Sequence, residues 1–264
     1  MGLISRYKRE FVYAVILFII WEISQVPEII GVGQVYFFFS FIGLLLVVTW
    51  IFTTYFRLSY KKVSDNSDAL IKIRNHERFF INFILPLLFY CLVSYFLYVS
   101  VNLVLTQLLI ILSSMLFFVI FVNIKNSYTK VFTIERDTRT ILSFLDIIVF
   151  FLAVTLLTYF GDSFAVRVLG VSVAAFILLG HQLLINKQQN WAGFAVLVAS
   201  TIFLGAVAYF FMDSGSYLFP LVMSILFYLV VALWTVKLSG TSKLSDYLPP
   251  LLFALMAFII VTSF

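Results

Sequence analysis

The chain is poor in the residue types from which most sites are built. A single cysteine, Cys91, excludes an internal disulfide framework and a cysteine-based metal cluster. The two histidines, His76 and His181, fall in different segments and share no ligand spacing, so no metal is expected. Eleven glycines are scattered without a GxGxxG, a phosphate-binding loop or a GxxxG pair, and no cofactor is expected either. G-x-S-x-G, a serine partnered by histidine in the rhomboid manner, and H-E-x-x-H are all missing. Asp146 has no second aspartate inside another apolar segment, so the acid pair of an intramembrane aspartyl protease is missing as well. No catalytic residue is named, and the balance leans away from an enzyme.

Charge is scarce too. Only 11% of the 264 residues are charged while 63% are apolar, with 32 Phe and 14 Tyr. Soluble chains run near a quarter charged, because a water-facing surface must be made of something. A mean hydropathy of +1.12 cannot be hidden in a compact soluble fold of this length. The length therefore counts in membrane spans of about 20 residues each. The net charge of +5 is what the membrane orientation rule leaves behind, and no nucleic-acid partner is expected.

Apolar runs of about 17 residues or more divide the chain into about nine helices. They cover 11–31, 35–56, 79–99, 103–124, 141–160, 164–185, 191–212, 217–236 and 247–264. Glu22, Pro27 and Glu28 interrupt the first, while short turns at 100–102, 161–163 and 213–216 make hairpins of their neighbours. The fold class is thus all-α: a polytopic transmembrane helix bundle, one integral membrane domain over 1–264 without a soluble domain. Its long connections lie near 57–78 and 125–140.

Cations sort cleanly against this division. Arg6, Lys8 and Arg9 precede the first span, and Arg57, Lys61, Lys62, Lys72, Arg74 and Arg78 fill the second connection. Lys125, Lys130, Arg136 and Arg139 fill the fourth, Lys187 the sixth, and Lys237 and Lys243 the eighth. Sixteen of 17 cations therefore fall on one side, Arg167 being the exception, while the opposite connections hold Glu28, Asp162 and Asp213. The positive-inside rule puts the N-terminus in the cytoplasm and the C-terminus outside. One misplaced boundary would invert every later connection and destroy the asymmetry.

Local features fit the same plan. Tyr7, Trp50, Tyr55, Tyr60, Trp191, Tyr209, Tyr217 and Trp234 cluster near span ends, as an aromatic belt requires. Pro249 and Pro250 are expected in the first turn of the last span, where a missing N–H costs little. Residues 63–78 are long enough for a separate interfacial helix with Val63, Leu70, Ile71 and Ile73 towards lipid. The basic residues before 11–21 mimic a signal peptide, but Glu22-Ile23-Ser24-Gln25 offers no small-x-small cleavage site, so an uncleaved first helix is expected.

Ionisable groups at membrane depth are costly and point to function by default. Four candidates stand out: Glu22, Asp146, Arg167 and His181. Asp146 lies roughly 7–9 Å from the cytoplasmic edge at the helical rise, and His181 lies at similar depth on the antiparallel neighbour, with Gln182 and Asn123 at comparable levels. A contact between them would make a proton-titrating pair beside a cytoplasmic cavity, since histidine titrates near neutrality. The plainer alternative is a satisfied buried pair that fixes helix register, or side chains that snorkel to the interface. Glu22 and Arg167 form a charge pair if the first and sixth helices touch; otherwise the first span ends near Val26 and Glu22 reaches the outer interface. Gly170, Ala174 and Ala175, with Ala192, Ala195, Ala199 and Gly205, are expected to let the sixth and seventh helices approach closely. Phe37, Phe38, Phe39, Phe117, Phe118 and Phe121 look lipid- or partner-facing.

The segment YTKVFTIERDTRTILSFLD (128–146) and the tail from YLFPLVMSILFYLVVALWTVKL (217–238) to the C-terminus carry one resemblance. Together they resemble an uncharacterised family of polytopic membrane proteins from bacterial candidate phyla, catalogued as a domain of unknown function. That family shows an acidic residue in the penultimate hairpin region, where this chain has Gly205-Ala206. The resemblance implies a membrane location, here a bacterial plasma membrane, and carries over no functional residue. Three functions stay open. A structural or assembly subunit of a membrane complex fits the lack of catalytic motifs, with the lipid bilayer and a membrane-protein partner or second copy as its contacts. A small-solute or ion transporter would use Glu22, Asp146, Arg167 and His181. A lipid-modifying membrane enzyme has the least material, because its chemistry needs several charged residues at one interface.

Overall fold

Inside a bilayer no water satisfies backbone amides, so an apolar run must bond within itself, and a helix does so along its whole length. The structure, a computed structural model, describes residues 7–26, 34–60, 68–100, 102–129, 136–160, 163–186, 190–211, 218–238 and 243–263. All elements among the described residues are helices: α1 Lys8–Ser24, α2 Gln34–Tyr60, α3 Asp68–Val99, α4 Leu103–Thr129 and α5 Arg136–Phe160. They continue as α6 Phe164–Asn186, α7 Trp191–Phe211, α8 Leu218–Leu238 and α9 Leu244–Ser263. Eight of them, α2 to α9, are long and apolar enough to cross a membrane. With 17 residues, α1 is the shorter exception.

Three boundaries differ from the sequence expectation. Helix α1 stops at Ser24, where the Gln25 and Val26 N–H groups bond to the Glu22 and Ile23 carbonyls at 3.1 and 3.2 Å in a tightened last turn. Glu22 therefore lies near a helix end, as in the second of the two placements expected for it, while Pro27 and Glu28 lie outside the described residues. Among the described residues the 68–78 stretch is not a separate interfacial helix: α3 runs unbroken for 32 residues from Asp68, through Pro86. Side chains over 68–78 and the whole of 61–67 lie outside the description, as do 130–135, Asp162, Lys187 and the 213–216 turn. Helix α9 begins at Leu244, so Pro249 and Pro250 fall inside it, beyond the first turn. Asp246 helps start the helix earlier by accepting the Lys243 N–H at 2.8 Å.

By its internal contacts the chain divides into two compact units, 1–138 and 139–264. In the first unit α1 packs against α2 and α4, and α3 against α2 and α4. Side-chain bonds fix the directions. At one end Arg9 Nη2 donates to Thr53 at 2.6 Å, and Tyr7 Oη donates to Asn126 at 3.1 Å. At the other end Gln107 donates to Glu22 at 3.1 Å. Helices α1 to α4 therefore alternate in direction, and Arg9 and Lys125 share one end.

The core of this unit is aromatic. Trp21 stacks on Tyr90 with centroids 5.5 Å apart, and Trp50 meets Phe121 at 4.2 Å. Two expectations are corrected here. Trp50 is fully buried and not an interfacial belt residue, because it shares a helix face with Val47, Ile51 and Thr54. Phe117 and Phe121 are buried as well, being four residues apart on the α4 face that meets Trp21, Phe89 and Trp50. Phe37 and Phe38 do face outward.

In the second unit α6 packs on α7 and α8, α8 on α7 and α9, and α5 stacks Phe150 on Phe227 of α8 at 4.3 Å. Small residues permit close approach, though not the full set expected. Gly205 leaves room for the Ser172 hydroxyl, and Gly170 for the Leu157 side chain of α5. Ala192, Ala195 and Ala199 instead face outward; the buried stripe of α7 is Gly193, Leu197, Leu204, Gly205 and Ala208. An outward alanine and an inward one have the same hydropathy, so composition alone could not choose the face. Helix α9 touches α8 and leaves most of its apolar surface outward, including Leu252, Met256 and Ile259.

Candidate functional site

Asp146 and His181 meet. Nδ1 of His181 donates to the Asp146 carboxylate, 2.9 Å from Oδ2 and 3.0 Å from Oδ1. The next residue on α6, Gln182, donates its Nε2 to Asp146 Oδ2 at 2.6 Å. Its Oε1 in turn accepts from Ser143 at 3.0 Å. Consecutive residues 181 and 182 reach one carboxylate because α5 faces the seam between two adjacent side-chain directions of α6. Ser143 sits three residues before Asp146 on the same face, one turn nearer the start of α5.

Burial sets the stakes. Asp146 is 0% exposed, His181 2% and Gln182 1%. A carboxylate with no water needs its lone pairs filled, and here a ring N–H and an amide N–H converge on them. Arg139 lies four residues before Ser143, so Arg139, Ser143 and Asp146 form a polar track at helical spacing along one face of α5. Signals for Ser143 and Arg139 were present in that spacing, but serine and a helix-start arginine are too common in spans for spacing alone to single them out.

The other two candidates lie elsewhere. Glu22 accepts from Gln107 of α4 within the first unit, and Arg167 sits one turn into α6 in the second. Asn123, at a comparable level by sequence, also belongs to the first unit. The second unit contains a shallow groove of about 440 Å³ beside Val168, Ser172, Gly205 and Tyr209 and a smaller cavity of about 110 Å³ beside Leu183 and Trp234. Asp146 and His181 line neither.

Sequence reasoning missed two clusters in the first unit. Glu10, 2% exposed, is paired with Lys125 Nζ at 2.9 Å. Glu10 suits its helix, since it sits in the first turn of α1, while Lys125 lies four residues before the end of α4. The second cluster joins neutral groups: Trp21 Nε1 donates to Ser94 Oγ at 3.1 Å, Tyr90 Oη to the Ser40 carbonyl at 2.8 Å, and Tyr36 Oη to the Ser94 carbonyl. No cluster of three or more metal-ligating side chains occurs among the described residues.

Helices of this number, length and apolarity, carrying a polar network at depth, define a multi-pass membrane protein. No protein family, curated protein or solved structure matches the chain.

Proposed function

We propose that the chain crosses a bacterial plasma membrane nine times, α1 included, with its N-terminus cytoplasmic, and serves as a structural or assembly subunit of a membrane complex. Sorting of 16 of 17 cations to alternate connections supports the orientation. The uncharacterised family named above is its proposed kin. Support for the structural role comes chiefly from the way polar side chains are used. Asp146 is satisfied by two neighbours in a buried seam, and Glu22 by Gln107 in a different unit. Groups that hold helices in register need partners, whereas groups that handle a solute need access.

Mild-detergent purification of the tagged full-length protein tests this. A stoichiometric partner that co-elutes with the wild-type chain is expected. A monodisperse lone chain that moves a solute in proteoliposomes would overturn the assignment. Single cysteines at 57–78 and 125–140 in a Cys91→Ala background test the topology; both segments should label from the cytoplasm.

The polar track of Arg139, Ser143 and Asp146 favours one second reading, a transporter of an ion or small solute using Asp146 and His181. It separates from the first on Asp146→Asn: a folded, complex-forming variant with lost flux supports transport, and unchanged flux excludes it.

A further inference from the structure

The 110 Å³ cavity of the second unit opens where α6 and α8 end and α7 begins. We propose that it seats the phosphate of an anionic phospholipid, with Lys237 as counter-ion. Leu183, Ala192 and Val196 make its wall apolar, whereas Asn190 and Lys237 supply its polar groups. That is the amphipathic character of a lipid just below its headgroup. The space suits a phosphate and its ester oxygens, and is too small for a whole lipid. The chains would instead lie along the outward apolar surface of α7, where Phe194 is 45% exposed.

Charge selects the class. Lys237 lies in the last turn of α8 and has no carboxylate partner among the described residues. Connections at this end of the unit, 187–190 and 237–246, carry Lys187, Lys237 and Lys243 against a single carboxylate, Asp246. Asp246 is already engaged by the Lys243 N–H of its own turn. Connections at the opposite end carry Asp162 and Asp213 and no cation, so an anionic headgroup is favoured here and disfavoured there. Basic pockets between helix ends are a recurrent way to hold such headgroups.

The remaining geometry sets depth and rigidity. Asn190 Oδ1 accepts the Gly193 N–H at 2.7 Å, which holds this side chain at the start of α7. Trp191, the first residue of α7 and 84% exposed, marks the interfacial level at which indole rings settle. Trp234 is 8% exposed and closes the wall below Lys237. A free phosphate would use only Lys237 and Asn190 and gain nothing from the apolar surfaces. The inference needs only that these ends lie at a bilayer surface, so it stands or falls apart from the assembly role.

Native mass spectrometry of the full chain in mild detergent tests it, titrating phosphatidylglycerol and phosphatidylcholine of identical chains. Phosphatidylglycerol should be retained at least about fivefold better, the effect of one lysine at an anionic surface. Lys237→Gln should remove that preference, Lys237→Arg should keep it, and Ala192→Leu should weaken binding by narrowing the cavity with charge unchanged. Lys8→Gln, a cation of the other unit, should change nothing. Equal retention of the two lipids, an unaltered preference in Lys237→Gln, or displacement of the lipid by millimolar inorganic phosphate would each overturn the proposal. All four variants change outward positions, and unchanged helix content and elution profile confirm that they fold.

Discussion

The two units solve one problem in different ways. Lipid gives no hydrophobic drive between helices, so each unit must join its spans by shape and by polar contacts. The first uses wide aromatic rings whose N–H and O–H groups reach hydroxyls and carbonyls, and keeps its ion pair, Glu10–Lys125, at the ends of helices. The second brings helices close over Gly170 and Gly205 and places a carboxylate and an imidazole in a buried seam. Charge near a helix end can borrow water when its partner is lost. Charge in the seam cannot. The same interaction type should therefore be worth several times more in the second unit.

The largest expected effect follows directly. Asp146→Ala leaves His181 and Gln182 buried without their acceptor, and should cost about 3 kcal/mol, read as a shift in the denaturation midpoint in mixed micelles. Asp146→Asn retains an acceptor oxygen and should cost less than half of that. Replacing Asp146 and His181 together by Leu should recover part of the loss, because the apolar pair leaves only the Gln182 amide without its acceptor. If the double replacement is worse than Asp146→Ala, the pair does more than satisfy itself, and the transporter reading gains.

Next in size is a steric test of the first unit. Any Cβ at Gly43 meets the Tyr90 phenol and approaches Ile20 Cγ2 at 3.3 Å. The phenol cannot swing away without giving up the Ser40 carbonyl, so Gly43→Ala should cost about 1–3 kcal/mol, typical of overpacking. Adding Tyr90→Phe should relieve part of it by removing the hydroxyl. No relief would mean that the aromatic core tolerates displacement and is looser than the small-residue seam of the second unit.

Hydropathy located the helices among the described residues, eight of them long and apolar enough to cross a bilayer, because length and composition decide what can cross. The Asp146–His181 contact was legible for a related reason: a three-residue turn makes α5 and α6 neighbours, and equal distances from the shared end put both residues at one depth. Depth is a one-dimensional quantity that sequence preserves. Facing is not. Trp50, Phe117 and Phe121 read as outward residues because in lipid both faces of a helix are apolar, and the amphipathic contrast that orients a soluble helix is lost. Glu10 was invisible for the opposite reason. Among the basic residues of the N-terminal segment it reads as one more solvated charge, although the fold buries it against Lys125.

A milder effect is expected where a neutral hydrogen bond is removed from the aromatic cluster. Trp21→Phe deletes the Nε1–H donated to Ser94 while a ring remains to face Tyr90. The loss should be about 1 kcal/mol, read in the same micelle titration. Adding Ser94→Ala should cost little more, since the hydroxyl's partner is already gone. A strongly additive second loss would show that Ser94 serves another contact in this unit.

The smallest effect belongs to the ion pair at the helix ends. Glu10 is buried but Lys125 is 29% exposed, so the ammonium keeps part of its water and the pair is screened. Glu10→Gln should cost under about 1 kcal/mol, and raising salt should shrink the difference between variant and wild type. Lys125 also lies 5.1 Å from the centroid of the Tyr7 ring, which gives the cation a second, salt-tolerant hold on α1. Lys125→Met, which removes both contacts, should therefore exceed Glu10→Gln. If Glu10→Gln instead proves as damaging as Asp146→Ala, proximity to a helix end offers no relief, and the contrast between the two units fails at its foundation.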